Sequence, residues 1–101
     1  MKYNMGPHSI DVLTDTKTTV ELAADGKYGD SDTGKLTIRV RNDLPPSVFR
    51  EVLVHELLHH AIALTPLAAK LGEHEEEELV RSLSPYLAQA LGPALTGPSK
   101  R

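Results

Sequence analysis

The chain has 101 residues, which suits one domain with a modest core, and with one Phe, three Tyr and no Trp that core must be mostly aliphatic. A net charge of −3 and a pI near 5.9 give no basic patch for nucleic acid. The absence of cysteine excludes disulfides and thiolate metal sites. No apolar run is free enough of His and Glu to span a bilayer, and the opening residues do not read as a signal peptide. The expectation is a cytoplasmic protein that binds neither membrane nor nucleic acid, with the oligomeric state open.

Residues 1–8 read as a polar lead-in. Ser9 to Thr14 alternates, with Ile10 and Val12 on one side, and predicts a short strand. Thr18 to Ala23 predicts a second strand, with Val20 and Leu22 inward. Asp25-Gly26 is a turn signal, and residues 27–34 read as a polar loop. Asp25, Asp30 and Asp32 lack the spacing of an EF-hand and read as a solvated turn. Lys35 to Arg41 has the clearest alternation, with Leu36, Ile38 and Val40 buried and Arg39 and Arg41 on a wet face.

Asn42-Asp43-Leu44-Pro45-Pro46 ends that strand and starts a helix from about Pro46 to Leu64, with Ser47 a competing N-cap. It must stop before Pro66. Leu67 to Leu71 predicts a short helical turn, and Gly72 a break. A second helix runs from Glu73 to about Leu91, its acidic first turn suited to the positive end of the helix dipole. Its stripe is Leu79, Val80, Leu83, Leu87, Ala90 and Leu91, and Pro85 predicts a kink or a lost hydrogen bond. The tail from Gly92 is expected to fray.

The first helix carries His55-Glu56-Leu57-Leu58-His59, an H-E-x-x-H motif. Residues four apart lie one above the other on a helix, so His55 and His59 can aim at one point. Glu56 is offset by about 100°. Two neutral imidazoles can hold zinc while the carboxylate takes a proton from the metal-bound water. Chance occurrence is the bland alternative. It is disfavoured because the helix is apolar nearly all round and should be buried, where unpartnered His and Glu are costly.

A catalytic zinc usually has a third protein ligand, which the second helix should supply. With Leu79 as reference at about 100° per residue, Glu76 falls in the middle of the apolar stripe. Glu77 lies about 100° from it, at the edge, and Glu78 faces solvent. Glu76 is therefore the expected ligand, with Glu77 the alternative. His74 reads as exposed, His60 lies off the His55/His59 face, and His8 has no evident partner.

Pro45-Pro46-x-x-x-x-Glu51-Val52-Leu53-x-His55-Glu56-Leu57-Leu58-His59, followed by Glu76-Glu77-x-Leu79-Val80-x-x-Leu83-x-Pro85, resembles small zincin-like metallopeptidases of bacteriophage and prophage genomes. These are similar to ImmA/IrrE-type metallopeptidases and minimal gluzincins. Tyr28-Gly29-Asp30 and the strand Leu36 to Val40 also fit, so the resemblance covers about residues 9–92. It implies a zincin-like α+β domain: an antiparallel or mixed sheet of about three strands on two main helices. It further implies zinc on His55, His59 and Glu76, Glu56 as general base, and an edge strand that aligns a peptide substrate. The interval from His59 to Glu76 is short for a gluzincin, which predicts a shallow cleft. No tyrosine or histidine is assigned as the oxyanion stabiliser, with Tyr28 and Tyr86 as candidates. The expected function is a zinc peptidase, with a non-enzymatic, zinc-stabilised regulatory or protein-binding module as the alternative.

Overall fold

In the computed structural model, which describes residues 1–92, the alternating segments build one sheet. Its strands are β1 (Lys2–Met5), β2 (His8–Leu13), β3 (Gly29–Asp32) and β4 (Thr37–Val40), in the order β1-β2-β4-β3. The central pair β2/β4 is parallel, while β1/β2 and β3/β4 are antiparallel. Ile10, Val12, Ile38 and Val40 point to one face and are almost fully buried. Helices α2 (Pro46–Ala63) and α3 (Glu73–Ala90) supply Phe49, Leu53, Val54 and Ala88 to the same core. A third helix, α1 (Thr16–Ala24), joins β2 to β3. The fold is α+β with a four-stranded mixed sheet rather than about three strands.

Three segments differ from the sequence reading. The polar lead-in forms β1, where Tyr3 faces Ile10 and Val12 N–H donates to the Met1 carbonyl at 2.8 Å. Thr18 to Ala23 is helical, not a strand. Asp15 caps α1 by accepting from Thr18 N–H at 2.8 Å. Thr18 and Leu22, one turn apart, are buried, while Val20 is 62% exposed. The apparent alternation was carried by Val20 and Leu22 alone.

The third difference is β3, inside the expected polar loop. Few of its residues favour strands, and pairing with β4 holds it. Arg39 Nε donates to Asp30 Oδ1 at 2.8 Å, and its Nη1 reaches Glu21 Oε1 at 3.1 Å. Arg39 thus ties β3, β4 and α1 together. At Gly29 an added Cβ would lie 2.8 Å from both the Arg39 carbonyl and Val52 Cγ1, so glycine lets β3 press against α2. In the following turn, Asp32 Oδ1 accepts from Lys35 N–H at 3.2 Å.

The helix starts and stops follow their prolines. Pro45 is the N-cap of α2, Pro46 its first residue, and no side chain, Ser47 included, supplies a cap hydrogen bond. The chain leaves α2 at Ala63, and a short 3-10 helix covers Pro66–Ala69. In α3 the buried positions are Val80, Ser84 and Ala88, whereas Leu79 and Leu83 are 38% and 41% exposed. The inward face is therefore rotated from the expected stripe. Ser84 can be buried because its hydroxyl donates to the Val80 carbonyl at 2.6 Å. The helix continues through Pro85. The expected fraying beyond Gly92 lies outside the described residues. Among these, no helix is long and apolar enough to cross a membrane.

Candidate metal centre

His55 and His59 stand one turn apart on α2, with ring centroids 4.9 Å apart and planes at 64°. The helix α3 packs across them. Measured from Val80, Ser84 and Ala88 lie at about 40° and 80° around α3, Glu77 at about 60° and Glu76 at about −40°. Rotation of the buried face thus brings Glu77 to its centre and leaves Glu76 at its edge.

The distances follow that placement. Glu77 Oε1 is 3.0 Å from His59 Nε2, and Glu77 Oε2 is 3.5 Å from His55 Nε2. One ligand atom from each of His55, His59 and Glu77 lies within 4.8 Å of the others. Glu76 is on the opposite side of the same ring, with Oε2 2.6 Å from His59 Nδ1. A neutral imidazole has one N–H and one lone pair. Donation from Nδ1 to Glu76 leaves the Nε2 lone pair directed at Glu77 and His55. The two glutamates named in advance thus both meet His59, on different nitrogens.

Electrostatics favour the ligand forms. Burial pushes the His55 pKa down, helped by the charges of His59 and Arg81 and opposed mainly by Glu77. Neutral imidazole is the form that binds metal. The Arg81 hydrogen bond is the largest cause holding Glu77 below the usual carboxylate range. Arg81 Nε donates to Glu77 Oε2 at 2.8 Å. Sequence reasoning passed over Arg81, although its place four residues after Glu77 was the available signal.

Glu56 faces a cleft of about 630 Å³ between the start of β3 and the first half of α2. Gly26, Tyr28, Gly29, Glu51, Val52 and His55 are among its walls. Burial raises the pKa of Glu56, and the charge of His59 opposes that shift most. Tyr28 thus lies in the cleft, while Tyr86, 74% exposed, is not among its lining residues. His74 borders a second surface hollow, which it shares with Glu77, Glu78, Arg81 and Ser82. His60 is completely buried, and neither ring nitrogen has a hydrogen-bond partner among the described residues.

The donor set suits a borderline-soft divalent cation: two imidazoles and a carboxylate form one of the ligand combinations of catalytic zinc. No family model, curated protein or solved structure matches the chain.

Proposed function

We propose that the protein is a zinc-dependent peptidase. The observation that carries this reading is the convergence of His55, His59 and Glu77 beside a cleft into which Glu56 faces. In this reading His55, His59 and Glu77 hold the metal. Glu76, the ligand expected from sequence, instead fixes the His59 tautomer through Nδ1, as carboxylates commonly do behind metal-bound histidines. When bound, zinc supplies Lewis-acid polarisation of the scissile carbonyl and acidifies a water.

Glu56 takes the proton of the attacking water and passes it to the leaving amine. Its burial strengthens it as a base by raising its pKa. The outer edge of β3 aligns the peptide in extended form, since β3 is the last strand of the sheet and Gly29 opens onto the cleft. Val52 and Tyr28 give that cleft an apolar wall, and Glu51 lies one turn before His55.

Metal analysis with a peptide-library cleavage assay tests the proposal. Wild type should bind one zinc and cleave. Glu56→Gln should keep the metal and lose at least about 10²-fold in cleavage rate. Glu77→Gln should weaken metal binding more than Glu76→Gln. Normal cleavage by Glu56→Gln would overturn the role of Glu56. Metal binding without cleavage, combined with unfolding on chelation, would establish the non-enzymatic module instead.

A further inference from the structure

Glu77 contacts both histidines, but it does not stand alone. Its Oε2 accepts from Arg81 Nε at 2.8 Å, whereas its Oε1 sits 3.0 Å from His59 Nε2. The same Oε2 is 3.5 Å from His55 Nε2, so one carboxylate meets both imidazoles and the guanidinium. Arg81 is one helical turn beyond Glu77, and its side chain is 73% exposed. An exposed pair at this spacing adds little to the stability of a helix. What distinguishes this one is its acceptor, the carboxylate that completes the candidate metal group.

We propose that Arg81 is a positioning residue: by donating to Oε2 of Glu77 it fixes the orientation in which the carboxylate faces His55 and His59. This rests on the metal-site reading above. A carboxylate free to turn would present its oxygens to the ion in several ways, whereas a hydrogen-bonded one is held in one of them. The planar guanidinium donates along a fixed direction through Nε, which a lysine ammonium does not reproduce.

The test uses Co²⁺ as a spectroscopic stand-in for zinc, titrated into the full chain, with circular dichroism as the check on folding. The visible d–d band of Co²⁺ weakens as its coordination number rises, so it reports the ligand arrangement without any activity assay. Arg81→Met should bind Co²⁺ about 10–100-fold more weakly than wild type and give an altered band. Arg81→Gln should behave likewise and stands in if Arg81→Met fails to fold. Glu78→Gln, which alters the neighbouring charge only, should leave affinity and band unchanged. If Arg81→Met or Arg81→Lys keeps the wild-type band and affinity, the positioning role is overturned while the metal site stands. If wild type itself gives no saturable band, the metal-site reading falls and Arg81 with it.

Discussion

At the residue scale, the site is decided by which nitrogen each carboxylate meets. Glu76 and Glu77 are neighbours in sequence, yet they meet opposite sides of the His59 ring. Both were named from sequence, but their order depended on where the inward face of α3 lay. Leu79 and Leu83 look like core and are substantially exposed, while Ser84 looks like surface and is 1% exposed. Hydrophobicity alone misplaced the face because a serine that donates to its own helix backbone can be buried at low cost. His60 is the opposite case. Asp32 opposes the burial that lowers its pKa, through its charge and its backbone, but neither ring nitrogen has a hydrogen bond of normal geometry. A buried, unsatisfied imidazole costs about 1–3 kcal/mol. His60→Leu should therefore leave stability unchanged or raise it by about 1 kcal/mol in urea unfolding. A loss above about 2 kcal/mol would show that the imidazole has a partner after all.

At the element scale, α2 and α3 were readable because prolines, a glycine and an acidic first turn mark their limits. The strands β2 and β4 were readable from period-two alternation. What escaped was each element whose identity depends on a partner. The Gly-Asp-Ser-Asp stretch is a strand because β4 pairs with it, and β1 because β2 does. The capped start of α1 was legible at Asp15, but a two-residue alternation outweighed it. For β3 the key contact is Asp30 with Arg39, both more than two-thirds buried. The Arg39 hydrogen bond holds Asp30 below the ordinary carboxylate pKa. A carboxylate depressed in the folded state stabilises fully above its unfolded pKa of about 3.9. That contribution is lost as pH falls through the lower, folded value. Asp30→Asn should thus cost about 1–2 kcal/mol at pH 7 and flatten the loss of stability below about pH 4. Chemical denaturation at several pH values reads both; equal slopes in the two proteins would deny the pair its role.

For the whole molecule, the core and the candidate site are separate. Ile10, Val12, Ile38, Val40, Phe49, Leu53, Val54 and Ala88 pack without any of the proposed ligands. The chain should therefore stay folded in chelator, as circular dichroism would show. Zinc at about 100 times its Kd should add about 2.7 kcal/mol. For a domain of this size that raises Tm by roughly 10 °C or more. The increase should vanish in His59→Ala. Collapse of the fold on chelation would favour a structural metal and count against the peptidase.

The consecutive pair Glu76–Glu77 makes the centre sensitive to the angular phase of α3. Substitutions along the connection from Leu64 to Gly72 leave that phase intact. One residue inserted between Glu77 and Val80 would swing both acidic groups through about 100° relative to the packing face below them. The helix would still seat on the sheet, but the imidazole of His59 would lose its two companions together. Drift in this protein is therefore restricted less by which side chains fill the segment than by how many there are.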